Sequence, residues 1–270
     1  MLRRKFIKNF IVGGLIVSNG KVFSQTFFPD KDEVVFRFTV ASDGHYGQPN
    51  TPYEEYFDTI VKKINYYHSI VPSEFVVFNG DIIHDDPQFL TPAHQALSGV
   101  KLPLYATKGN HDKVSPEVWE KTWGFGQNHG FSIGDRGILL GTTANEKGEY
   151  LCPDLDWFEN QLDQYKGAEE VYIFLHITPD KWTKHGVDCP EFHKLLSDHK
   201  NVKAVFNGHD HDEYDIKTKG QIPFMFDGHF GGSWGTEYRG FRVVEKLKNG
   251  TLRTYLMDPD NQILLDHIQD

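Results

Sequence analysis

Metal-ligating side chains directly follow five apolar runs in this sequence. A short apolar run that ends in a turn is typical of a buried strand that delivers polar groups to a sheet edge, where open α/β sheets keep their ligands. A single His or Asn at such a place is more often a turn residue than a ligand. Five together predict a site, and the blocks are Asp43-Gly44-His45, Gly80-Asp81, Gly109-Asn110-His111-Asp112, His176 and Gly208-His209-Asp210-His211.

The donor atoms in these blocks are oxygen and nitrogen, without a thiolate. Such a set favours manganese, iron or zinc over calcium, and it disfavours structural zinc, which usually binds Cys. Seven ligands are too many for one tetrahedral site: Asp43, His45, Asp81, Asn110, His176, His209 and His211. With one carboxylate shared, they would hold two ions roughly 3.5 to 4 Å apart, an arrangement suited to phosphoryl transfer.

The surrounding residues predict the elements that position these ligands. Predicted strands lead into the five blocks, at residues 33–42, 75–78, 102–107, 171–175 and 202–207. Helical patterns lie between them, at 53–68, 92–100, 116–123, 154–165 and 192–199. Further strands at 131–133, 138–143, 222–226, 240–246 and 252–256 include two hairpins. This order predicts an α/β fold, a four-layer αββα sandwich of two stacked mixed β-sheets flanked by helices.

The five blocks, in this order, resemble the calcineurin-like metallophosphoesterase family, and the match spans about residues 35–215. The resemblance implies that three residues bind the first metal: Asp43, His45 and His211. Three others would bind the second metal: Asn110, His176 and His209. Asp81 would bridge the two ions. His111 would protonate the leaving oxygen, and Asp112 would orient His111.

The chain departs from the family pattern three residues after the Gly-Asp aspartate. Many members have Asp or Asn there, whereas this chain has His84, followed by Asp85 and Asp86. A Tyr at that place binds iron in the purple acid phosphatase branch, so its absence argues against that branch. No insertion large enough for a cap domain separates the blocks, which predicts an open site.

The resemblance implies a metal-dependent phosphoric ester hydrolase. A hydroxide held between two ions would attack phosphorus in line while His111 donates a proton to the departing alkoxide. An open site and an acidic body favour a small phosphodiester, with a phosphomonoester as the alternative. A metal-binding protein without turnover is a further alternative, but it would commonly have lost His111. A metallo-β-lactamase-like enzyme would need His-x-His-x-Asp-His, which this sequence lacks.

Composition places the chain among globular proteins with a sizeable core. The 270 residues are 39% hydrophobic and 24% charged, and the net charge is −10. So acidic a body predicts no stable binding of nucleic acid. The oligomeric state and the choice among manganese, iron and zinc cannot be read from the sequence.

The first 24 residues predict an export signal peptide, which leaves 25–270 as a single mature domain. A basic start precedes an apolar run at residues 10–17 that is too short to span a membrane. Arg3 and Arg4 resemble the twin-arginine signal, which predicts a periplasmic bacterial protein without a membrane span in its mature form. Cys152 and Cys189 could then form a disulfide or remain buried thiols.

Four other side chains are weaker candidates for substrate contacts. His229 could touch phosphate, although a turn histidine is the alternative interpretation. Trp182, Trp234 and Tyr238 fall in predicted loops, where they could stack on a substrate ring or simply pack against the protein.

Overall fold

Two β-sheets form the centre of the computed structural model, which describes residues 12–18, 21–27, 34–257 and 263–264. The strands of the first sheet are β1 (Val12–Ser18), β2 (Lys21–Phe27), β3 (Val34–Ala41), β4 (Val76–Asn79), β5 (Leu104–Thr107), β12 (Phe241–Leu247), β13 (Leu252–Met257) and β14 (Ile263–Leu264). The strands of the second sheet are β6 (His129–Ile133), β7 (Arg136–Gly141), β8 (Glu170–Leu175), β9 (Val202–Asn207), β10 (Ile216–Lys219) and β11 (Ile222–Phe226).

Each sheet contains a parallel core that ends on the same side of the molecule. In the first sheet, ordered β2-β1-β13-β12-β3-β4-β5, strands β3, β4 and β5 run parallel. In the second, ordered β10-β11-β9-β8-β7-β6, strands β7, β8, β9 and β11 run parallel. The predicted mixed sheets are therefore confirmed.

Within the described residues, five α-helices cover the outer faces of the sheets: α1 (Tyr53–Ile70), α2 (Leu90–Leu97), α3 (Pro116–Trp123), α4 (Leu155–Gln164) and α5 (Pro190–Ser197). Local sequence explains several of their ends. The Ser115 hydroxyl caps α3 by accepting a hydrogen bond from the Val118 amide, and Pro116 follows at the first position. Gly124 ends the same helix in the left-handed conformation.

The interior consists of three apolar layers, and each of them lies between two neighbouring layers of secondary structure. Helices α1 to α3 pack on the first sheet, and α4 and α5 pack on the second. Between the sheets lie alternate residues of the strands, such as Phe38 of β3 and Phe174 of β8. Phe38 is fully buried and stacks on Phe75 with 5.0 Å between the ring centroids. Truncating Phe38 to Ala would cost about 3 to 5 kcal/mol of folding free energy.

Predicted and observed elements differ by a few residues at their ends, and among the described residues the strands β1, β2, β10 and β14 were not predicted. Strand β10 escaped prediction because Ile216-Lys217-Thr218-Lys219 alternates only weakly at the sheet edge.

Cys152 and Cys189 form a disulfide, which resolves the two possibilities that the sequence left open.

The predicted signal peptide lies partly outside the described residues, which begin at Val12 and omit 19–20. Within it, the backbone of β1 pairs with β2 and β13. The export prediction therefore stays a prediction. Among the described helices, none has the length and apolar character needed to cross a bilayer.

Candidate metal centre

The loops that follow β3, β4, β5, β8 and β9 bring the five sequence blocks together. Backbone hydrogen bonds join these loops, as the Asp43 amide donates to Gly80 O at 3.1 Å and the His45 amide donates to Asp81 O at 3.0 Å. The Gly208 amide donates to His176 O at 3.0 Å. The predicted ligands therefore lie at the carboxyl edge of both parallel cores, where the fold places ligands.

Strained backbone is concentrated in these loops. Six non-glycine residues in the described chain have positive φ, and five of them are in the ligand loops: Asp43 (59°), His45 (50°), Asp81 (50°), Asp85 (66°) and His209 (69°). Such conformations cost on the order of 1 to 3 kcal/mol each and persist only where surrounding structure enforces them. The fold therefore maintains this side-chain arrangement against a local energetic cost.

Two glycines allow the loops to approach the ligands closely. Gly80 has φ of 86°, and a Cβ there would lie 2.3 Å from the His176 ring. A Cβ on Gly109 would lie 2.2 Å from Asp81 Oδ1. Any side chain at either position would displace a predicted ligand.

The first cluster consists of Asp43, His45 and His211, all buried. His45 Nε2 lies 3.0 Å from His211 Nε2, which in turn lies 3.2 Å from Asp43 Oδ1. The other polar atoms of two of these side chains bind the protein backbone. The His209 amide donates to Asp43 Oδ2, and His211 Nδ1 contacts Trp234 O at 3.1 Å. Three ligand atoms thus face one another, with their orientation fixed by the atoms behind them.

The second cluster consists of Asp81, His176 and His209. His176 Nδ1 contacts Asn79 O at 2.7 Å, which directs Nε2 toward Asp81 Oδ2 at 3.1 Å. Asp81 Oδ2 is also 3.8 Å from His45 Nε2 in the first cluster. Asp81 therefore lies between the two clusters, as expected for a shared ligand.

Buried polar atoms without partners support metal binding here. Asn110 Oδ1 and His209 Nε2 are both buried and have no hydrogen-bond partner among the described residues. An uncompensated buried polar atom is costly, and a bound cation would compensate both atoms. The residues present therefore fit a divalent metal centre.

The ring of His111 lies beside these clusters but is held by a different residue from the one predicted. His111 Nδ1 is 2.9 Å from Asp85 Oδ1, and Lys113 Nζ is 2.7 Å from the same oxygen. Asp112 instead accepts backbone hydrogen bonds from Ile83 and Gly109 at 2.9 and 2.8 Å. The prediction that Asp112 orients the imidazole is corrected, because its carboxylate points into the loop.

Comparison with known proteins agrees with this geometry. The family model for calcineurin-like phosphoesterases matches residues 36–213, which include every predicted ligand. The chain belongs to this family. It is a metal-dependent phosphoester hydrolase with His and Asp clusters that could hold the metal.

Several known proteins are similar to this phosphoesterase. A protein of Fibrobacter succinogenes named "Probable cyclic nucleotide phosphodiesterase" is 24% identical over 214 residues, covering 72% of this chain and 80% of the relative. A dimetal phosphatase from Danio rerio superposes with a TM-score of 0.64 at 15% identity, covering 84% of this chain and 96% of the other. GAP50, the anchor in the inner membrane complex of Plasmodium, gives 0.59 at 13% identity, with 87% and 89% covered. At these identities, the structural likenesses show the fold alone.

Electrostatics divide three of the predicted histidine ligands into two types. Burial lowers the pKa of His45 to about 4 and that of His209 to about 3. Burial also disfavours the charged form of His176, but attraction by Asp81 and Asp43 outweighs it and raises the His176 pKa to about 10. At neutral pH, His45 and His209 thus offer lone pairs, whereas His176 must release a proton before it can ligate.

The weaker candidates separate into packed and exposed side chains. Trp182 packs on Phe224 with 4.9 Å between the ring centroids, and Tyr238 is buried. His229 is fully buried behind His211, and its Nδ1 contacts Gly231 O at 2.6 Å, so it supports the site from behind. Trp234 is exposed beside the first cluster.

Proposed function

We propose that this phosphoesterase hydrolyses small phosphodiesters with two divalent ions, drawn from manganese, iron and zinc. The observation that carries the proposal is the position of Asp81 between two His and Asp clusters, with His111 beside them. Two bound ions would supply Lewis-acid chemistry, which activates water and offsets charge on the phosphoryl oxygens. The donor set fits this role because it lacks thiolates.

The geometry supports separate roles in metal binding and proton donation for the residues of the site. Asp43, His45 and His211 would hold one ion, and Asn110, His176 and His209 the other, with Asp81 shared. Asp85 holds His111 through Nδ1, which leaves Nε2 as the atom to carry a proton. His111 Nε2 would donate that proton to the departing oxygen, which lowers the barrier most for poor leaving groups.

A diester is favoured over a monoester by charge and by the named relative. A diester carries one negative charge where a monoester carries up to two, and the protein has a net charge of −10. The Fibrobacter relative, named as a probable cyclic nucleotide phosphodiesterase, supports the same substrate class.

Export to the periplasm of a bacterium, with 25–270 as the mature domain, is part of the proposal. The Cys152–Cys189 disulfide supports it, because disulfides persist mainly in oxidising compartments.

The substrate assignment is tested by comparing two esters under one metal condition. Manganese-loaded protein is assayed with nitrophenyl phosphate and bis-nitrophenyl phosphate, and kcat/KM is expected to be higher for the diester. A strong preference for the monoester would replace the proposal with a phosphomonoesterase. Absence of turnover with both esters, despite full metal loading, would favour a metal-binding protein.

A further inference from the structure

Two large aromatic side chains are exposed at the metal centre. Trp234 is 41% exposed and Tyr150 is 40% exposed, although both are large rings that would gain from burial. The Trp234 ring stacks on His211 with 4.3 Å between centroids and 12° between planes. Tyr150 meets His209 edge-on at 4.9 Å. Each metal cluster is thus bordered by an aromatic surface that is open to solvent.

The loop that carries Trp234 is fixed in place. The Gly231 amide donates to Asp43 O at 3.0 Å, Arg239 donates to Gly232 O at 3.0 Å, and Gln48 donates to Ser233 at 2.9 Å. The carbonyl of Trp234 itself accepts from His211. The indole is therefore preorganised, so that little conformational entropy would be lost when a ligand stacks on it.

Trp234 lies on the side of the site from which a leaving group would depart. Its ring is 6.2 Å from that of His111, the predicted proton donor, and 6.0 Å from that of His84. His84 in turn stacks on His111 at 4.8 Å with 12° between planes. Trp234, His84 and His111 thus form a group of flat rings at the predicted proton donor.

We propose that Trp234 is a specificity-determining residue that stacks on a flat, unsaturated ring in the leaving group, such as an aryl group or a nucleobase. This inference rests on the proposed function and names the substrate class more closely. Stacking of one base on an aromatic side chain changes affinity by about 10-fold. An aliphatic leaving group of the same charge would gain little from the indole.

A binding experiment tests the ring preference without turnover. Manganese-loaded protein is titrated by calorimetry with phenylphosphonate and with methylphosphonate, which share a phosphonate but differ in the ring. We expect the native protein to prefer the phenyl compound by about 10-fold. Trp234→Phe should keep most of that preference, whereas Trp234→Leu and Trp234→Met should reduce the ratio to near one. Metal content is measured on each sample. Two ring-free variants are used so that the test still works if one of them fails to bind metal.

Kinetics with methyl nitrophenyl phosphate test the leaving-group assignment, because its only ring departs. Trp234→Leu should lower kcat/KM for it by about 10-fold, mainly through KM. Tyr66→Leu, which removes an exposed ring on α1, is the matched control and should have no such effect. Equal phosphonate affinities in the native protein, or a full ring preference in both ring-free variants, would overturn the inference. Absence of ester hydrolysis would reject the proposed function, while the phosphonate ratio would still decide the subsite.

Discussion

His111 Nδ1 lies 2.9 Å from Asp85 Oδ1, so Asp85 holds the ring of the predicted proton donor. Asp85 has φ of 66°, a left-handed backbone conformation that is uncommon for a non-glycine residue. The pKa of Asp85 is lowered, since the hydrogen bond from Lys113 and the His111 charge outweigh the effect of burial. Asp85 is therefore ionised over the neutral range and available to orient His111.

The first prediction concerns this pair. Asp85→Asn should lower kcat by about 10-fold with a poor leaving group, because the ring of His111 loses its ionic partner, and it should leave metal content unchanged. Asp86→Asn is the matched control, since its carboxylate instead accepts a hydrogen bond from the Gln88 amide. Equal losses in the two variants would contradict a specific role for Asp85.

The role of His111 itself can be separated from metal binding. His111→Ala should lower turnover by about 10² to 10⁴ while metal content stays the same, as expected when a general acid is lost. The loss should shrink for nitrophenyl esters, whose leaving groups need little protonation. An unchanged rate with an alkyl leaving group would refute proton delivery by this residue.

Asp81→Asn should be the most damaging ligand substitution. The change removes the charge that both clusters share, so we expect loss of at least one ion per chain and of nearly all activity, measured by elemental analysis and ester hydrolysis. Asp210→Asn is the control, because Asp210 lies between two ligands in sequence but binds Thr183. Normal metal content and turnover in Asp81→Asn would exclude a bridging role.

The arginine pair near the start tests export. Arg3→Lys together with Arg4→Lys should trap the precursor inside the cell, because the twin-arginine route reads that pair. The measurement is the amount of mature protein in the periplasm, by immunoblot of cell fractions. Normal amounts there would rule out this route. Residues 3 and 4 lie outside the described residues, so the prediction rests on sequence alone.

The ligand loops were predictable from sequence because buried parallel strands carry continuous apolar runs, and the polar residues that end them must meet at one edge. Asp85 was not identified, because adjacent carboxylates cannot be told apart until the positive φ of Asp85 is known. The sequence left open whether Trp234 is exposed or packed, since a hydrogen bond from Gln48, which is distant in sequence, helps to fix its loop. Sequence therefore predicts which residues gather, but tertiary contacts decide which side chains face one another.

The last prediction follows from the raised pKa of His176, about 10 in the metal-free protein. A bound proton and a metal ion compete for the same nitrogen, so the metal affinity of the folded protein should rise with pH up to about 10. The increase should approach 10-fold per pH unit if His176 alone releases a proton.

Stability of the metal-free protein should change in the opposite direction. A histidine whose pKa is raised on folding contributes stability that is fully present below about 6.5 and is lost as pH rises through about 10. The melting temperature of chelated protein should therefore fall across this window, and the His176→Gln variant should show a smaller fall because it lacks the titrating group. Calorimetric metal titrations and thermal melts over the same pH series measure both effects. A metal affinity that is independent of pH would show that His176 is already neutral before the metal binds.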